Sequence, residues 1–447
     1  MLPDTLYYDA EPINPKSGGV QMSEIRSVSA REILDSRGNP TVEVEVESAR
    51  GIFGRASVPS GISTGEREAL ELRDGDAGRY GGKGVLSAVR NVEELISPEI
   101  CGLDLLDQNG VDQVMIELDG TPDKERLGAN AVLAVSLACA RAAAAELGLP
   151  LYRYIGGCGA KVLPVPMMNL FSGGMHSDAN SAFQEYMIRP VGAESFPEAL
   201  RMGSQVRLEL EKLLEEKHWS PSLGDDGGFA PPELSGGAPE LLEALTSAVE
   251  RAGFTPGEEI SIAIDAAAGA FFADGLYDYS IFEGEDAPKR SGEEQIAFLR
   301  TLAERFPVDS IEDGAAEEDW ETWEKLTSEL GGKCQLVGDD LFATNPKYLR
   351  QGIDRGCANA ILLKTNQIGT LTEVCDTAAM ARDAGYKCIV SHRSGETCDP
   401  FAADLAVALG AGQIKAGALS GERVAIYNQL LRISEQLDDS ARFGSLW

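Results

Sequence analysis

The chain has 447 residues, of which 43% are hydrophobic, 25% charged and 6% aromatic. That is length for two or three packed domains, or for one large barrel with an accessory domain, and it excludes disorder as the dominant state. The 72 acidic residues against 39 basic ones give a formal net charge of −33, a field that repels a nucleic-acid backbone and admits a small anionic substrate only where a metal or a few focused cations offset it.

In chain order, residues 1–21 hold Pro, Gly and acids without periodicity and read as an N-terminal tail. They lack a basic stretch followed by an apolar one, so no signal peptide is expected. Thr41 to Glu47 (TVEVEVE) alternates with period two, which predicts a half-buried strand, with Ile52 to Val58 as its hairpin partner. A loop of small residues follows (Pro59 to Gly65, PSGISTG), and then helical patterns from about Glu66 to Gly148. Together these predict an α+β domain ending near Pro150. The most apolar stretch, Ala131 to Leu147, contains Arg141 and falls short of the roughly 20 residues of a membrane span. It predicts a buried, Ala-rich helix and no membrane association. Eight cysteines without a CxxC pair argue against a zinc ribbon, a redox dithiol or a disulfide framework, and fit reduced thiols in a cytoplasmic protein.

Beyond Pro150, short apolar runs alternate with amphipathic helical stretches such as Glu294 to Phe306 and Gly369 to Ala384. The runs end on chemistry: ISIAID at Asp265, FPVDSIED with Glu312, CQLVGDD at Asp339, ANAILLK at Lys364, KCIVSHRS with His392 and GQIK at Lys415. After a first, longer interval these residues recur roughly every 23 to 28 positions, which suits successive strand-plus-helix units. The expected fold class is α/β, a (β/α) barrel with its chemistry at the C-terminal strand ends. A doubly wound open sheet is the alternative, but no GxGxxG follows an early strand and no GxxxxGK[ST] loop occurs.

Three carboxylates on consecutive strand ends can converge on a hard cation, and Mg²⁺ is the usual occupant of an all-oxygen set that substrate oxygens complete. Each acid taken singly is equally a helix cap or a surface charge. Lys364, at the end of ILLK, is a candidate general base if its pKa is lowered, or else the partner of Asp339 in a structural salt bridge. Lys415 carries the same two readings. Of three histidines, His218 reads as a surface residue, whereas His176 and His392 lie in Gly- and Ser-rich loops that suit a site. His392, Arg393 and Ser394 form a compact donor set for a phosphate or carboxylate. Asp226, in Gly224 to Gly228 (GDDGG), lies either in a close-approach loop or in a plain turn. The Ser60 to Gly65 segment is either a hairpin exit or a lid.

From about Ile25 to Leu437 these motifs resemble the enolase (phosphopyruvate hydratase) family. LDSRGNPTVEVEV, RASVPSGISTGEREALELRDGD, GGKGV, SIEDG, QLVGDDLF, NQIGTLTE, SHRSGET and AGQIK occur in the family's order. The resemblance implies an N-terminal α+β capping domain (22–155) and a C-terminal (β/α)8 barrel (156–447) opening with a ββαα unit, in a homodimer or higher homo-oligomer. It implies Asp265, Glu312 and Asp339 as ligands of one Mg²⁺ and Ser63 as a residue helping to hold a second. Lys364 matches the base at C2 of 2-phosphoglycerate, Lys415 the cation on the substrate carboxylate, and Arg393 and Ser394 the phosphate contacts. His176, Gln184, Glu185 and His392 fall on supporting positions.

The chain departs from the family at Asp226, where enolases carry the longer Glu as acid, and at Ile62, Ser172, Gly269, Ala270, Thr365 and Ala416. Departures gathered round an intact metal and base set also resemble carboxyphosphonoenolpyruvate synthases, enolase paralogues of phosphinate-antibiotic biosynthesis. That resemblance implies a nucleotide-activated phosphonoformate as second substrate. Ordinary enolase activity is the alternative, and an inactive enolase-fold binding protein a third reading.

Overall fold

The structure, a computed structural model, describes residues 23–61, 65 and 67–444. The predicted alternating strand is the middle of a three-stranded antiparallel sheet of β1 (Ile25–Leu34), β2 (Pro40–Ser48) and β3 (Phe53–Ser57). Its period sets its faces. Val42, Val44 and Val46 are fully buried, while Glu43 and Glu45 on the opposite face each accept from Arg31 at 2.7 Å. The buried face meets the helix α2 (Ala129–Glu146), on which a second helix, α1 (Gln108–Asp119), packs in turn. Alanines let α2 lie almost backbone to backbone on the sheet. A Cβ at Gly54 would stand 2.2 Å from the Ala142 nitrogen and 2.3 Å from the Ala138 carbonyl oxygen. α2 has the length and hydropathy of a membrane-crossing helix, but 83% of it is buried inside the fold, and Arg141 on it pairs with Asp399. All eight cysteines are free.

The helical reading from Glu66 fails over its first part. Residues 67–79 contain turns only, and α-helix begins at Leu86. The cause is tertiary: Ala69 and Leu70 donate their backbone N–H groups to Gln367 and Asp123 carbonyls, both at 2.8 Å, instead of to residues four back. Arg67 anchors the same segment to the barrel, donating to the carbonyls of Leu341 at 2.7 Å and Glu317 at 2.8 Å while lying over the Tyr348 ring.

The remainder closes into an eight-stranded barrel, which rules out the open sheet. Its strands are β4 (Val165–Ser172), β5 (Glu185–Arg189), β6 (Ser261–Asp265), β7 (Val308–Glu312), β8 (Gln335–Gly338), β9 (Ala360–Leu363), β10 (Lys387–Ser391) and β11 (Gly412–Gly417). Two helices, α3 (Phe196–Lys217) and α4 (Gly237–Arg251), follow β5. Six strand-plus-helix units then follow from β6, with helices α5 (Gly292–Arg305), α6 (Trp320–Leu330), α7 (Pro346–Arg355), α8 (Leu371–Asp383), α9 (Phe401–Ala408) and α10 (Val424–Leu437). A small three-stranded hairpin sheet between Phe272 and Arg290 accounts for the long first interval. Met167, Met187, Ala263, Val337, Ala360, Leu362 and Ile389 plug the interior, so the barrel is a packed core whose chemistry is confined to its ends. β5 alone runs antiparallel to both neighbours.

Candidate active site

Because β5 is reversed, its first residue stands at the mouth where the other strands end. Glu185 therefore pairs in register with Asp265, and Asp265 with Glu312. Asp339, Lys364 and His392 are each the first residue past β8, β9 and β10, and Lys415 lies within β11 opposite Ser391. All of these side chains except Glu312, with His176, Gln184, Asp226, Arg393 and Ser394, line one small polar cavity of about 50 Å³. Every site residue expected from the sequence reaches this mouth except Glu312, which lies beneath it in contact with Lys415, and Ser63, which falls outside the described residues. His218 is exposed at the end of α3.

Two ammonium groups organise the acids. The buried Lys415 Nζ donates to Asp265 Oδ2 and Glu312 Oε1, each at 2.8 Å, and pairs with Glu185. Burial alone would lower this ammonium, but the three carboxylates hold it well above its usual range. Glu185 is pushed up to about 7 by burial, which Lys415 only partly opposes. Lys364 pairs with Asp339, so the salt bridge is what forms between them. Its pKa is raised and not lowered: burial and the Arg393 and Lys415 charges act downward, but Asp339 outweighs them. Asp339 accepts from Gln367 at 3.0 Å as well.

Arg393 is held by Glu68 at 2.8 Å and Asn366 at 3.1 Å. His176 Nδ1 pairs with Asp226, whose other oxygen accepts from Arg423 at 3.2 Å. Burial alone would raise Asp226; the His176 and Arg423 charges hold it well below the carboxylate range. The GDDGG loop lies directly on the end of β4, where a Cβ at Gly228 would come within 2.7 Å of Ser172 Oγ. Two of the departures noted above, Ser172 and Asp226, thus belong to one packed unit.

The sequence reading missed Glu68, Asp313, Asp340, Gln367 and Arg423. Asp313 accepts the backbone N–H groups of Asp339 at 3.0 Å and Asp340 at 2.8 Å, and the three carboxylates come within 4.8 Å of one another. Their only signal was the doubled acid in IED and GDD. Asp265, Glu312 and Asp339, the ligands expected from the sequence, form a different set that likewise offers only oxygen donors, as a hard divalent cation requires, and Glu312 Oε2 is buried with no hydrogen-bond partner.

Two family models cover nearly the whole chain. That for the enolase N-terminal domain matches residues 25–155, and that for the enolase C-terminal TIM barrel domain matches residues 160–446. With the barrel, its reversed second strand and the acid-and-lysine mouth on one chain, the protein belongs to the enolase family and is a lyase of the phosphopyruvate hydratase type.

Proposed function

We propose that the cavity abstracts the C2 proton of 2-phosphoglycerate and releases an enolpyruvate product, with Mg²⁺ held by Asp265, Glu312 and Asp339. The observation that carries this reading is the convergence of Lys364, Lys415 and Arg393 on one acid-lined cavity, cations enough for a small phosphorylated carboxylate inside a molecule of charge −33. Bound Mg²⁺, two ions per site by family resemblance, supplies charge stabilisation to the enediolate. Lys364 takes the C2 proton as a free amine, which requires Asp339 to be engaged otherwise than by its ammonium. Lys415 orients the substrate carboxylate, and Arg393 and Ser394 the phosphate. On the far side, Glu185, Gln184, His176 and His392 shape the pocket around the departing C3 oxygen, and Glu185, pushed up to about 7, is the carboxyl there that can hold a proton near neutrality.

A more specific reading, carboxyphosphonoenolpyruvate synthase with a nucleotide-activated phosphonoformate as second substrate, is favoured by Asp226. It is one methylene shorter than the family's acid, ionised and clamped between His176 and Arg423. The chain acts in this reading as a cytoplasmic homo-oligomer. The test is the absorbance rise of enolpyruvate from 2-phosphoglycerate and Mg²⁺ alone. A kcat of about 1 to 10³ s⁻¹ makes it an ordinary enolase. A rate near zero with both ligands bound in calorimetry, restored by the activated phosphonoformate, supports the synthase. Failure to bind Mg²⁺ overturns both in favour of an inactive binding protein.

A further inference from the structure

Arg423 has no part in the chemistry above, yet it is 2% exposed and touches loops that line the mouth. It ends a short 3-10 turn, Gly421–Arg423, that leads into α10. Its Nη2 faces four acceptors on two loops: Asp226 Oδ1 at 3.2 Å and the Asp225 carbonyl at 3.3 Å on one, the Arg393 carbonyl at 3.3 Å and the Ser394 carbonyl at 3.0 Å on the other. Its Nη1 pairs with Glu422. The end of β11 is shaped to admit this side chain. Gly417 has φ +74, and a Cβ there would stand 2.4 Å from Arg423 Cδ and 2.9 Å from His392 Cε1. Tyr427, one turn on, donates its hydroxyl to the Gly417 carbonyl at 2.7 Å and fixes α10 against the strand. The Ala418 N–H, just past the same strand, donates to the Asp226 carbonyl at 3.0 Å.

We propose that Arg423 is a positioning residue that couples the 224–228 loop to the 392–395 loop, so that Asp226 and the anion-binding Arg393 and Ser394 are set as one unit. The roles of those three residues rest on the reading above; the coupling itself rests on geometry. A planar guanidinium can serve acceptors on both loops at once, whereas the ammonium of a lysine is a compact point charge on a flexible stem. Its other charged contact, with the neighbouring Glu422, reaches neither loop.

The test compares wild type, Arg423→Lys and Arg423→Met by hydrogen exchange, thermal unfolding, Mg²⁺ calorimetry and steady-state turnover of 2-phosphoglycerate, all on the full chain. Expected for Arg423→Met are faster exchange in the peptides spanning 222–230 and 391–398 together, with the barrel strands unchanged. Alongside this come unchanged Mg²⁺ affinity and a kcat loss on the order of 10²-fold, partly recovered in Arg423→Lys. Loosening of one loop only, of neither, or of the whole barrel together overturns the coupling. If Arg423→Met does not fold, joint loosening in Arg423→Lys decides the matter. A wild type that fails to turn over 2-phosphoglycerate sinks the functional reading but leaves the exchange result to decide this one.

Discussion

Lys364 and Asp339 hold each other in one ion pair, yet removing either partner has different consequences. Lys364→Met deletes the proposed base, so kcat should fall by about 10²- to 10⁴-fold, while the freed Asp339 carboxylate keeps or strengthens Mg²⁺ binding in calorimetry. Loss of Mg²⁺ binding in that variant would contradict the assignment. Asp226→Glu restores the reach of the family's acid and should raise water elimination from 2-phosphoglycerate, by up to about 10²-fold if misplacement by about 1 Å is what limits it; no gain removes the reach explanation. The His176–Asp226 pair sets a pH window. His176 is raised above 6.5 because Asp226 outweighs burial, so its contribution to stability is complete below 6.5 and is lost as pH rises through the raised value. Asp226 is lowered below 3.8, so its contribution is complete above 3.8 and is lost as pH falls through the lowered value. His176→Gln should therefore be most destabilised relative to wild type between pH 3.8 and 6.5, and urea denaturation across that range should show the gap closing at higher pH. Asp265, Glu312, Asp339 and Lys364 were legible because each closes an apolar run. Arg423 and Glu68 were not, since each comes from an irregular segment and no periodicity marks a turn residue that works through backbone carbonyls or a distant guanidinium.

At the level of elements, two contacts explain what the pattern of residues could and could not reveal. The alternation of β2 was readable because one of its faces is buried and the other is salt-bridged. The irregular course of 67–79 was not, because its hydrogen bonds go to residues far along the chain. The ββαα opening came from family resemblance alone, and the reversal of β5 was not legible at all, since a buried strand is apolar on both faces whichever way it runs. Where β3 meets α2, the missing side chain of Gly54 is filled by helix backbone, which cannot rotate away as a flexible side chain can. Gly54→Ala should cost about 3 kcal/mol or more in denaturant unfolding, and a loss below about 1 kcal/mol would mean that the helix shifts freely on the sheet.

Over the whole molecule, metal binding should be felt as stability. A cation that binds only the folded chain stabilises it by about 2.7 kcal/mol at a hundredfold excess over Kd. Mg²⁺ should then raise Tm, a chelator should reverse the rise, and Glu312→Gln should shrink it; an unchanged Tm in wild type would argue that the acid cluster holds no ion. The spacing of strand ends conveyed the barrel because the units after the first recur every 23 to 28 residues, but it could not reveal which residues from the first 80 cover the mouth. Closure has a further consequence for how the molecule is made. The seam joins the first barrel strand to the last, with Lys415 of β11 opposite Met167 of β4, and the ammonium that pairs with Glu185, Asp265 and Glu312 lies on that last strand. During synthesis from the N-terminus, these acids emerge well before their counter-charge. The nascent barrel stays electrostatically unfinished until its final strand docks, so native closure waits on that strand.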